Sequence, residues 1–326
     1  MAIRSLLLMM LVIAVRTPFL QPAAPPIWSG LKVGSHGAGT ATLTRGKVVA
    51  TMWYPSSGDG KPITVGYFAA SISAFADEAG IDGLPADIIS RYASRQLFAR
   101  VNATRASGRF PLVVISQGNQ QRPLHQAVLA EFLATHGFVV ITATSTTVTS
   151  PMKSSDDVGP AAQREAEQLQ MLVELGKTLP QVDRSRVFAA GHSFGARAAL
   201  LLAMHDRTIA RLISLDGGIG TAQSMDSYRR ANWFARDRAT VPILHFYEEL
   251  DDFMAPDFTL LRSLPSASLT LRTVDGLHHP HFTTLGFASA LDPVLANAVH
   301  LEANATAALN SVFAELLSFL QDRLPK

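Results

Sequence analysis

The chain of 326 residues contains no cysteine. Disulfides, thiolate metal centres and a cysteine nucleophile are therefore excluded. Charge is sparse too: Asp, Glu, Lys and Arg make up 17% of the residues, and the formal net charge is +2 with no Lys/Arg block. That balance gives no support to nucleic-acid binding or to strong attraction to a membrane surface. Beyond the N-terminal segment, no stretch reads as a membrane span, which takes about 20 apolar residues. What the chain has is apolar bulk, 48% hydrophobic residues and a mean hydropathy of +0.18. This is enough for a sizeable core in an α/β protein.

Met1-Ala2-Ile3-Arg4 followed by Ser5 to Val15 reads as a basic start and a short apolar run. The run is too short to span a bilayer comfortably and fits a secretory signal peptide, with cleavage near Ala23 or Ala24. The expected location is secreted or periplasmic, with no stable membrane span in the mature chain. Arg16 and the Pro-rich stretch through Pro26 leave a second reading, a disordered leader or a mis-assigned start. One domain is expected over 27–326, behind a leader of 1–26, because no repeat or linker divides the chain.

Thr40–Thr44 and Lys47–Tyr54 alternate as an antiparallel hairpin around Arg45-Gly46. Ser71 to Ser107 is Ala-rich, with helical spacing around Ile88, Ile89, Tyr92 and Leu97 and no strand pattern. It reads as a helical insertion over about 71–107, either a lid over a site or a surface excursion without a role. From Phe110 the pattern is strand, helix, strand. Strands are expected at Leu112–Ser116, Phe138–Ala143, Arg186–Ala190, Leu212–Leu215, Pro242–Glu248 and Ser268–Val274. Helices are expected at Pro123–His136, Ala161–Leu179, around Leu260–Leu264 and at Leu301–Leu324. Such alternation predicts an α/β fold, a mostly parallel central sheet with helices on both faces.

Gly191-His192-Ser193-Phe194-Gly195 stands between a short apolar strand and the strong helix former Ala196–Met204. A G-x-S-x-G between strand and helix is the setting of a nucleophile elbow. The plainer alternative is a Gly-rich turn. A serine hydroxyl needs a base, an acid to orient it, and donors for the oxyanion. The base is expected after the last strand, where Asp275-Gly276-Leu277-His278-His279-Pro280-His281-Phe282 offers three histidines. A metal site built on His278, His279, His281 and Asp275 is disfavoured, since neighbours in one loop rarely converge on one ion. For the acid, Asp216 follows one strand and Asp251-Asp252 follow the next. Both keep the order serine, acid, histidine, and spacing does not separate them. The oxyanion donors expected are the N–H of Phe194 and, from the loop Gln117-Gly118-Asn119-Gln120-Gln121, that of Asn119. Gln117 and Gln120 can line a substrate site or be ordinary loop polarity.

These residues resemble the α/β-hydrolase superfamily. Within it they are most similar to the plasma-type platelet-activating-factor acetylhydrolases, their bacterial relatives and dienelactone-hydrolase-like serine esterases. The likeness runs from about Leu31 to Leu324. It rests on Trp53-Tyr54-Pro55, Pro111 to Gly118, Leu133 to Val140, Val182 to Val187 and the elbow itself. In that group the acid stands in a Leu-Asp context and the base in His-x-x-Phe. The resemblance therefore implies Asp216 as acid and His279 as base, with His281 as a site-lining residue. The chain departs from the group at Gln117-Gly118, where His-Gly is usual. It also differs from the lipid-specific enzymes at Gly217-Gly218-Ile219-Gly220, so phospholipid is not implied as substrate. The implied function is hydrolysis of a small-molecule carboxylic ester through an acyl-enzyme, with no cofactor and no metal. The alternatives are an amidase or peptidase of the same fold and a non-catalytic binding protein. The sequence gives no reading of the oligomeric state.

Overall fold

Strand β5 (Phe110–Ser116) shows how the sheet is made. Every residue in it is buried, Val113 and Ile115 into one core, Leu112 and Val114 into the other. An unbroken apolar run is what a strand covered on both faces requires. The protein is described here from a computed structural model, over residues 23–28, 30–71, 73–228, 230–302 and 305–322.

In chain order, β1 (Gly37–Arg45) and β2 (Val48–Ser56) form the expected hairpin, with Arg45 opposite Val48. Strand β3 (Lys61–Thr64), helices α1 (Phe75–Ala79) and α2 (Ala86–Ala93), and strand β4 (Gln96–Val101) precede β5. Then come α3 (Ala127–Thr135), β6 (Val139–Ala143), α4 (Val158–Thr178), β7 (Val182–His192), α5 (Phe194–His205) and β8 (Ile209–Leu215). The chain closes with β9 (Ile243–Tyr247), α6 (Thr259–Arg262), β10 (Leu269–Thr273), α7 (Thr284–Ser289), α8 (Pro293–Ala298) and α9 (Ala305–Gln321).

Among the described residues these strands form one ten-stranded sheet in the order β10-β9-β8-β7-β5-β6-β2-β1-β4-β3. From β10 to β6 every pairing is parallel. Helices α3, α7 and α9 pack on one face and α4, α5 and α6 on the other. The mostly parallel sheet expected from the alternation is thus present. No helix of the described residues is long and apolar enough to cross a membrane.

One expectation is corrected. The segment 71–107 is not purely helical, because Gln96–Val101 is strand β4, parallel to β1 and antiparallel to β3. Leu97, Phe98 and Ala99 are all buried, so the strand lacks the alternation that would have marked it. Leu97 belongs to that strand rather than to a helical face.

Candidate active site

The parallel strands β7, β8 and β9 bring their carboxyl ends side by side, where α/β sheets present reacting groups. At the end of β7 the chain turns abruptly into α5. Ser193 occupies the turn with φ +55 and ψ −124, a region that non-glycine residues rarely adopt. Both flanking glycines are sterically required. A Cβ at Gly191 would lie 2.5 Å from the Ala196 nitrogen, and one at Gly195 would lie 2.4 Å from the carbonyl oxygens of Ser116 and Gln117. Those contacts are to backbone, which cannot rotate away as a side chain would.

Three residues expected from the sequence meet here. The Ser193 hydroxyl is 2.8 Å from His279 Nε2, and His279 Nδ1 is 2.5 Å from Asp216 Oδ2. With Nδ1–H donated to the carboxylate, Nε2 is left to accept from the serine. Asp216 is 1% exposed, and the N–H of Glu248 reaches its Oδ1 at 3.4 Å. Burial pushes the Asp216 carboxyl above its usual range, and the bond from His279 pulls it back.

Of the two expected oxyanion donors, Phe194 lies within the elbow and Asn119 in the loop after β5 that packs against it. Phe194 opens α5, and its N–H is one of the donors a helix start leaves without an intrahelical partner. Gly195 packs on the loop after β5, which carries Asn119. The N–H of Gly118 is taken by Gln121 Oε1 at 2.9 Å. That of Asn119 has no acceptor among the described residues.

The three histidines of the 275–282 loop diverge. His278 Nδ1 faces Asp251 Oδ1 at 2.9 Å. His281 is fully buried: its Nδ1 accepts from the His278 N–H at 3.0 Å, and its Nε2 donates to the Val299 carbonyl at 2.8 Å. It braces the loop and does not line the site, contrary to expectation, because both ring nitrogens are spent inside the protein. Gln117 does not line the site either. It is fully buried and its amide donates to Thr142 Oγ1 at 2.7 Å, which ties β5 to β6. Gln120 and Asn119 are exposed on the wall of a cavity of about 540 Å³. Asp77, Glu78, Arg122 and Pro280 also line it, so α1 of the inserted segment faces the loop after β5. A second cavity, of about 620 Å³, opens beside Phe110, His136 and Asp322, at the amino end of β5 and away from Ser193.

Neither alternative acid contacts the His279 ring. Asp252 is exposed at the start of a short turn, and Asp251 bonds the main chain of His279. Four neighbours had no signal of their own in the sequence. His192, fully buried, stacks on His279 with ring centroids 4.8 Å apart, and its Nε2 is 3.2 Å from the His279 carbonyl. Burial, with repulsion from a protonated His279 adding to it, holds the His192 pKa well below the ordinary value. Phe253, 65% exposed, sets its edge against His279 at 5.2 Å. Gln121 Oε1 also meets His192 Nδ1 at 3.1 Å. Glu165 on α4 is buried, and both Thr146 N–H and Thr146 Oγ1 donate to it at 2.7 Å, which pins the loop after β6. A buried glutamate in a helix carries no pattern that distinguishes it from a surface one.

A ferulic acid esterase from Streptomyces cinnamoneus superposes on this chain with a TM-score of 0.65, covering 93% of this chain and 92% of its own, at 19% identity. The chain has the α/β-hydrolase fold. Within that fold the family model Chlorophyllase matches residues 87–228, a span that holds Asn119, Ser193 and Asp216 and ends before His279. None of the curated proteins matches. In this α/β-hydrolase fold Ser193, Asp216 and His279 stand after β7, β8 and β10.

Proposed function

We propose that the protein is a serine hydrolase that cleaves a carboxylic ester through an acyl-enzyme. The observation that carries the reading is the hydrogen-bonded line from Ser193 through His279 to Asp216, 2.8 and 2.5 Å long. The matching family and the structural neighbour are named a chlorophyllase and a ferulic acid esterase. What we carry over from them is the ester bond alone.

Ser193 Oγ attacks the ester carbonyl carbon as its proton passes to His279 Nε2. The carbonyl oxygen becomes an oxyanion, which the N–H groups of Phe194 and Asn119 receive. Such a donor is worth about 10²–10³ in rate. The C–O bond then breaks, and the imidazolium gives its proton to the departing alcohol. Water repeats the sequence on the acyl-enzyme, with His279 again taking and returning the proton, and the acid leaves. Asp216 keeps the imidazole in the tautomer that leaves Nε2 free and stabilises the charge it gains. This route uses no cofactor and no metal.

Ser193→Ala is expected to lower kcat on a short p-nitrophenyl ester by at least about 10³-fold. The circular dichroism spectrum should be unchanged. A folded variant that kept most of the activity would overturn the proposal.

A further inference from the structure

The loop between β9 and α6 touches the serine, histidine and acid line twice. The N–H of Glu248 reaches Asp216 Oδ1 at 3.4 Å. Three residues on, Asp251 Oδ2 accepts the main-chain N–H of His279 at 2.8 Å, while its Oδ1 faces His278 Nδ1 at 2.9 Å. Asp251 is itself held, because its own N–H donates to Glu248 Oε2 at 3.0 Å and the N–H of Leu250 donates to the same oxygen. One short segment thus anchors the acid through a backbone group and the base through a carboxylate.

We propose that Asp251 is a positioning residue for the hydrolysis, one that fixes the main chain of His279 so that its ring spans Ser193 and Asp216. This rests on the serine-hydrolase reading above. The main chain of His279 has two anchors, its N–H on Asp251 and its carbonyl against His192 Nε2. The ring must meet two partners at once, so a small shift of its backbone misaligns both. A displacement of about 1 Å at a reacting group can cost 10²-fold in rate. The bond from Asp251 is charge-assisted and therefore stronger than one between neutral groups.

Asp251 also places a second negative charge near the base. The titratable groups that contact His279 are Asp216 from the end of β8, Asp251 from the β9–α6 loop and His192 from β7, while Glu248 and His278 contact Asp216 and Asp251. Burial opposes ionisation of Asp251, but the hydrogen bonds it accepts from the His278 ring and the His279 N–H, together with its attraction to the two histidines, hold its carboxyl below its usual range.

The test compares Asp251→Ala, Asp251→Asn, Asp216→Asn and Ser193→Ala on one p-nitrophenyl ester. Asp251→Ala is expected to lose about 10–100-fold in kcat with KM changed less than threefold. Asp251→Asn keeps an oxygen for the His279 N–H and is expected to recover most of that loss. Asp216→Asn is expected to lose about 10⁴-fold. Wild-type kcat in Asp251→Ala overturns the proposal, and so does a kcat in Asp251→Asn no higher than in Asp251→Ala; if the alanine variant fails to fold, the shorter Asp251→Ser is measured in its place with the same expectation. A loss in Asp251→Asn as deep as in Asp216→Asn also overturns it, by making Asp251 the triad acid. An active Ser193→Ala would refute the serine-hydrolase reading itself, a result distinct from all of these.

Discussion

The backbone of Ser193 is held in an unfavourable conformation, at φ +55 and ψ −124, by what its neighbours lack. Gly195 shows how tightly. Its Cα faces the carbonyl oxygens of Ser116 and Gln117, and a methyl group there would meet them at 2.4 Å. Overpacking against backbone costs about 1–3 kcal/mol or more, and the elbow would have to move to relieve it. Gly195→Ala is therefore expected to lower the thermal midpoint and to slow labelling of Ser193 by a fluorophosphonate at least tenfold. Gly46 supplies the control. It has φ +58 in the β1–β2 turn, and a Cβ there meets nothing within 4 Å. Gly46→Ala is expected to cost only about 1 kcal/mol, from the left-handed backbone alone, with labelling unchanged. Equal effects on labelling at the two sites would mean that the elbow does not depend on close packing.

Helix α3 carries its own titrating group into the core. Glu131 is fully buried, accepting from Trp28 Nε1 on one oxygen and from the Ala99 N–H at 2.9 Å on the other. It joins α3 to β4 and to the N-terminal turn. Burial pushes its carboxyl up from 4.5 to about 7. The native state therefore keeps a proton that the unfolded chain releases between about pH 4.5 and 7. The stabilisation is fully present below that window and is lost on rising through it, on the order of 3 kcal/mol in all. Urea unfolding at pH 5 and pH 7.5 should show the decline. In Glu131→Gln the decline should be flatter by that amount, even though the amide nitrogen faces a donor and lowers stability at every pH. A pH dependence equal to the wild type's would mean that Glu131 does not titrate in the window.

At the scale of the whole molecule, the core closes over the start of the described chain. Ala23 and Ala24 are exposed, whereas Ile27 and Trp28 are buried, and the Trp28 ring packs on Phe98 and Phe132. A signal peptide cut near Ala23 or Ala24 would thus leave the packed part of the chain whole. Met1 to Pro22 lie outside the described residues, so export is our proposal from their sequence. Protein exported from a native host is expected to begin at or near Ala24 or Pro25 by N-terminal sequencing. A chain starting at Ala24 should match the stability of the processed protein. A further truncation through Trp28 should lose several kcal/mol, because it removes a large buried ring and one donor to Glu131. An exported protein that retained Met1 would refute the processing.

The sequence by itself determined what depends on neighbours in the chain. The elbow is local: a strand, a serine between glycines and a helix specify the turn, whichever sheet receives it. The parallel core strands were legible because burial on both faces leaves unbroken apolar runs. Strand β4 was not, since it is short, follows two helices and gains its identity only from β1 and β3 beside it. The carboxylates show the same division. Residues 216 and 251 both follow strands whose ends lie side by side, and no spacing rule says which carboxylate meets an imidazole and which meets a backbone N–H. Resemblance to a family favoured Asp216. The tertiary structure sets Asp216 against the ring and Asp251 against the main chain of the same histidine. The histidines divide in the same way, for His278, His279 and His281 are equivalent as text. What separates them is the direction each ring takes once β10 and α7 fix the loop between them, since a hydrogen bond depends on positions that chain order does not encode.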